Sequence, residues 1–112
     1  MAKTKKKRTV PTLTPDQIRH LRGLGHHLKP LAMLGREGIT DNLIKAVEEV
    51  LNAHELIKVK IQENFPDDRH VGAEAVARAC SAALAQVLGR TFLIYRPNPD
   101  LPTERRILLP KK

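Results

Sequence analysis

Aromatic side chains are nearly missing from this chain: there is no tryptophan, and only Phe65, Phe92 and Tyr95 add to the histidine rings. The core must therefore be mostly aliphatic, and extensive stacking of nucleic-acid bases on aromatic rings is argued against. Cysteine is scarcer still. Cys80 stands alone, so no internal disulfide and no thiolate-based zinc site can form. No apolar run approaches the roughly 18–20 residues of a membrane-spanning helix. The first residues are basic, but no apolar region follows them as in a secretory signal. These absences lead to the expectation of a soluble cytoplasmic protein with no membrane partner.

What the chain has instead is positive charge. Twenty Lys and Arg stand against twelve Asp and Glu, a formal charge of +8 and a pI near 10.1. Such a balance favours polyanionic partners and says little about fold. Part of it is gathered in MAKTKKKRT, where Lys3, Lys5, Lys6, Lys7 and Arg8 read as a flexible basic arm over residues 1–12. Without those five, fifteen basic residues face twelve acidic ones, or +3. Any binding surface on the body must come from the placement of charge. At 41% hydrophobic, residues 13–110 read as one domain with a modest core.

Along that domain the local signals alternate. Thr14-Pro15-Asp16-Gln17 is a helix start, with Thr14 as cap, Pro15 in the first helical position and Gln17 completing a capping box. Ile18 and Leu21 give an apolar stripe, and Gly23 and Gly25 end the helix near His26. Leu31–Leu34 is short and apolar, as a buried strand would be. Thr40 and Asp41 then open a helix over about 41–53, with Leu43, Ile44, Val47, Val50 and Leu51 at helical spacing. In HELIKVKIQ, Ile57, Val59 and Ile61 alternate with Lys58, Lys60 and Gln62, which predicts a half-buried strand with a basic outer face. Asp67 or Asp68 caps a third helix. From Val71 to Leu88 helical spacing persists, yet LAQVLGRTFLIYR also reads as two strands about Gly89-Arg90, and periodicity alone leaves both open. A short strand is expected around Ile107–Leu109. The order predicts a two-layer α/β domain with helices against a mixed sheet.

Between the first strand and second helix lies Gly35-Arg36-Glu37-Gly38. Two bare backbones just before a helix N-terminus can admit a phosphate, and Arg36 could add a charge-assisted contact, although Glu37 would repel it. The isolated motif is equally compatible with a tight strand-to-helix turn.

LRGLGHHLKPLAMLGREGIT, HELIKVKI and VLGRTFLIYR, in this order and spacing, resemble the CRM domain. This is the RNA-binding module of chloroplast RNA splicing and ribosome maturation proteins. The resemblance spans about Leu13 to Pro110, so the chain is most like the family's free-standing bacterial members. It implies an α-β-α-β-α-β-β domain with a four-stranded sheet, similar to the C-terminal domain of bacterial initiation factor three, with a KH-like GxxG loop. It places helix to about 81 and strand over 84–88. It also implies a noncatalytic RNA-binding role on precursors of the large ribosomal subunit, with large-subunit rRNA as partner, no cofactor, and a monomeric state.

On this reading the candidate RNA-binding residues are Gly35, Arg36, Glu37 and Gly38, with Arg19, Arg22 and Lys29 continuing their face, then Lys45, Lys58 and Lys60, and the arm. Taken singly, each of these cations reads better as a solvated surface charge. The same holds for Arg90 and Arg96, and for Glu48, Glu49 and Glu55 at helix surfaces or ends. His20, His26, His27 and His54 lack the regular spacing and partners of a metal site. No nucleophile–base set or phosphate-binding P-loop is present, which argues against an enzyme. The competing functions are a translation-phase factor on mature ribosomes and a general nucleic-acid binder.

Overall fold

The computed structural model describes residues 10–111, so the arm cations Lys3 to Arg8 lie outside the described residues. Seven main elements follow in the expected order: α1 (Pro15–Gly25), β1 (Pro30–Leu34), α2 (Asp41–His54), β2 (Leu56–Ile61), α3 (Arg69–Ala79), β3 (Ala83–Leu88) and β4 (Thr91–Tyr95). The sheet order is β1-β2-β4-β3. β1 runs parallel to β2, while β4 is antiparallel to both its neighbours, so the sheet is mixed.

Local chemistry accounts for the helix starts. The Thr14–Gln17 capping box forms in both directions, at 2.9 and 3.2 Å. Thr40 Oγ accepts the Leu43 amide at 3.1 Å, and Asp68 accepts the amides of His70 and Val71 at 2.8 and 3.3 Å. These bonds satisfy amides that a helix start leaves without partners. Between α3 and β3, Ser81 takes a positive φ of 52°, which ends the helix before the apolar residues can continue it.

Alternation in the strands divides the core in two. Ile57, Val59 and Ile61 of β2 and Phe92 and Ile94 of β4 pack with Val47 and Leu51 of α2 and Val76 of α3. On the other face Leu56, Leu93 and Tyr95 meet Leu21 of α1, with Leu13, Ile107 and Leu109 at the border. Gly25 brings α1 close to Leu93, whose side chain occupies the space a β-carbon would need. The expected two layers thus describe the α2/α3 side, and α1 adds partial cover on the opposite face. Residues 107–109 are irregular, not a strand: the segment follows a 3-10 turn at Thr103–Arg105 and is held by single hydrogen bonds instead of a ladder.

Candidate nucleic-acid interface

β1 ends at the fully buried Leu34, and the chain reverses over the next four residues. The Gly38 amide donates to the Gly35 carbonyl at 2.9 Å, closing the turn. Gly38 has φ 74°, a conformation that glycine adopts without strain, and nothing crowds its α-carbon. At Gly35 a β-carbon would meet the tip of the Gln62 side chain, which would have to turn aside. Arg36 and Glu37 stand exposed at the tip. The turn, Thr40, Gln62, Asn64 and Met33 border an open cleft of about 470 Å³.

The helix behind this cleft offers its positive dipole end and first-turn amides to an anion. Thr40 already takes the Leu43 amide, and Asp41 occupies the first turn. Arg36 thus shares the loop and helix start with two acidic residues, Glu37 and Asp41. The turn is shaped for close backbone approach, but it is not itself a basic patch. Positive charge has to come from its neighbours.

The register of the sheet decides which neighbours those are. Lys60 pairs with Met33 of β1 and with Thr91 of β4, next to the cleft. Lys58 pairs with Pro30, whose predecessor is Lys29. Both lysines alternate with the buried Ile57, Val59 and Ile61, so they lie on the α1 side of the sheet. Arg90 sits in the Gly89-Arg90 turn, and its carbonyl accepts the Ile61 amide at 2.7 Å, at the same end as the cleft. Lys29 and Arg36 flank opposite ends of β1, about 13 Å of strand apart. Arg19 and Arg22 are exposed on α1, and Arg19 binds Asp16 at 2.7 Å. Lys45 is exposed on α2, on the other side of the sheet. The predicted cations therefore do not gather at one point. Lys60 and Arg36 flank the cleft, Lys58 and Lys29 continue the line along β1 and β2, and Lys45 stands apart.

Two charged residues taken for solvated groups are buried. Glu55 is fully buried, with a positive φ of 65° at the end of α2, where glycine is the usual residue. Its carboxylate accepts the amides of Asn98 at 2.5 Å and Ile107 at 2.7 Å, and the Arg106 guanidinium at 3.1 Å. Arg96, only 4% exposed, donates to the Cys80 carbonyl at 2.6 Å and the Asn52 side chain at 2.7 Å. Asn98 and Arg105 donate to the Asn52 and Ala53 carbonyls at 2.8 and 3.0 Å, satisfying the end of α2. This network closes the end of the sheet remote from the cleft. Cys80 lies beneath it, and burial, aided by the Glu48 charge and opposed by Arg96, pushes its thiol up to about 11. It is no nucleophile at neutral pH. Among the described residues, no three histidine, cysteine or acidic side chains are placed to hold a metal ion. No helix among them is long and apolar enough to cross a membrane.

Comparison with known proteins agrees with this architecture. The sequence pattern of the CRS1/YhbY (CRM) domain matches residues 13–96. The chain belongs to that family. It is 39% identical to an RNA-binding protein of Haemophilus influenzae over 103 residues, covering 92% of this chain and all of the relative. It is also 39% identical to Probable RNA-binding protein YqeI of Bacillus subtilis over 88 residues, covering 79% of this chain and 92% of the other. Among solved structures, the solution structure of SAV1595 from Staphylococcus aureus, described as a candidate RNA-binding protein, superimposes with a TM-score of 0.73. That match has 37% identity and covers 88% of this chain and 100% of the other. The CRM domain therefore accounts for the α-β-α-β-α-β-β order, and these relatives carry the name of RNA-binding proteins.

Proposed function

We propose that this protein binds RNA without catalysis and serves, as a cytoplasmic monomer, in the assembly of the large ribosomal subunit. The observation that carries the reading is the Gly35–Gly38 turn. A positive-φ glycine, a second glycine against Gln62 and a capped helix start border one open cleft, and Lys60 lies beside Met33 at its edge. A phosphate in this cleft would meet backbone amides, with Arg36 at the tip and Lys60 supplying charge from the sheet. The RNA-binding names of relatives that match nearly their whole length support the ligand class. Scarce aromatics support contact with backbone and shape over extensive base stacking. The arm, Lys3 to Arg8, would add salt-sensitive contacts to neighbouring phosphates.

The test is sedimentation of cell extract at low magnesium, with each fraction probed for the native protein and for Gly38→Asp. The substitution costs about 1 kcal/mol of backbone strain, so the variant remains folded, and it places a carboxylate at the cleft. The expected result is native protein in precursor large-subunit fractions and loss of the variant from them. Native protein on mature particles would replace assembly with a role in translation. Absence from every ribosomal fraction, with equal affinity for RNA and DNA, would reduce the function to general polyanion binding.

A further inference from the structure

The strands carry an unusual charge pattern. Their sequences, PLAML, LIKVKI, ALAQVL and TFLIY, contain no acidic residue, and their only charges are Lys58 and Lys60. Both belong to β2, an inner strand, so they do not protect a sheet edge against pairing, a common role for lysine in sheets. Both sit on the α1 side, where alternation puts them in line with the buried Leu56. α1 and the C-terminal residues cover that face from the Leu56–Tyr95 end as far as Leu93, which packs against Gly25. Toward the cleft it is open.

Register gives the composition of the open part. Met33 pairs with Lys60, Lys60 with Thr91, and Thr91 with Leu88, forming one row across all four strands. Met33 is 57% exposed and Leu88 61%. The next row, Lys58, Leu93 and Gln86, marks the edge of the cover: Leu93 is buried beneath α1, and Lys58 and Gln86 are half-buried beside it. Lys60 thus stands in a row between two exposed apolar side chains, with Lys58 one row behind it at the edge of the cover. Met33 also borders the Gly35–Gly38 cleft, so surface and cleft are continuous.

We propose that this open sheet face holds a single strand of RNA that runs on from the phosphate in the cleft. The proposal rests on the RNA-binding reading and extends it to the form of RNA recognised. Lys58 and Lys60 are two residues apart on one strand, about 7 Å, a spacing that lets two cations reach neighbouring phosphates of one chain. The four-strand row is about 14 Å across, suited to one chain and its splayed bases and narrow for a duplex. Met33 and Leu88 then pack on sugars and unstacked bases, an aliphatic substitute for the rings the sequence lacks. An acidic protein could also pair with the two lysines and pack on Met33 and Leu88. The continuity of this face with the Gly35–Gly38 cleft through Met33 instead favours a chain that carries phosphates into both, and so RNA.

The experiment is fluorescence anisotropy of the full chain with a labelled mixed-sequence RNA single strand and with a blunt RNA duplex, each over a salt series. The variants are the double substitutions Lys58→Ala/Lys60→Ala and Met33→Ser/Leu88→Ser, with Arg78→Ala on the exposed side of α3 as control. All are surface changes, and circular dichroism checks their fold. Native protein is expected to prefer the single strand. The lysine variant should bind it about tenfold more weakly, with a salt slope reduced by about 1.4, the release from two single-strand phosphates. The Met33/Leu88 variant should lose several-fold affinity with the slope unchanged, and Arg78→Ala should bind as native. If both sheet variants bind the single strand as native does while Gly38→Asp fails, RNA binding stands and this proposal falls. It falls equally if the duplex is preferred, or if the apolar variant changes only self-association in sedimentation. If the native protein binds neither RNA, both readings fall.

Discussion

The two ends of β2 are built on opposite terms. At its start, Glu55 and Arg96 are buried, and their charged groups have hydrogen-bond partners. At its finish, Arg36, Gln62 and the start of α2 border a cleft, and Lys60 stands on the uncovered sheet beside it. About 17 Å of strand separates them. Charge therefore means different things at the two ends. At the closed end it ties the C-terminal residues to α2 and α3. At the open end it is unspent, and the backbone is shaped to let something approach.

The largest effect that would break this contrast is expected at the closed end. Glu55→Ala leaves two part-buried amides and the Arg106 guanidinium without their acceptor, and should cost about 3–5 kcal/mol. Urea denaturation measures this, and RNA affinity of the folded fraction should be unchanged. Arg96→Ala, which strips the Cys80 carbonyl and Asn52 of their donor, should follow at about 2–3 kcal/mol. At the open end the order reverses. Gly38→Asp should lower the unfolding free energy by only about 1 kcal/mol yet reduce RNA affinity at least tenfold in a titration at fixed salt.

A smaller effect sharpens the picture of the open end. The Val71 and His70 amides, in that order, hold the Asp68 carboxyl below its ordinary 3.8. Because the folded value is the lower one, the cap's contribution is complete above 3.8 and is lost as pH falls through the folded value. Asn can cap without titrating. Asp68→Asn should thus leave stability nearly unchanged at neutral pH and flatten its decline below 3.8, read from urea midpoints across an acid series.

Much of the helix and strand pattern was legible in the sequence because its signals are local. Thr14–Gln17, Thr40 and the Lys58–Lys60 alternation each lie within a few residues, and each formed as the pattern predicts. The helix-to-strand change near Ser81 had no such local mark, since the alanine-rich run suits either element and a positive φ on serine leaves no sequence trace. The closed end was illegible for a related reason. Glu55 meets its partners 43 to 52 residues later in the chain, so no spacing rule reveals that they bury it. One clue was available: Glu55 directly follows a helix and precedes a strand, a junction where glycine commonly stands. The division of the cations was hidden too, because only strand register puts Lys58 and Lys60 on the α1 side and Lys45 on the other.

The central claim is that RNA meets the open end and not the closed one. Amide chemical shifts of the isotope-labelled protein, followed as an RNA single strand is added, test it most directly. The account predicts the largest changes at Gly35, Gly38, Lys60 and Thr91, with Asn98 and Ile107 unmoved. Changes centred on Asn98 to Ile107, or on the exposed side of α2 around Lys45, would contradict it.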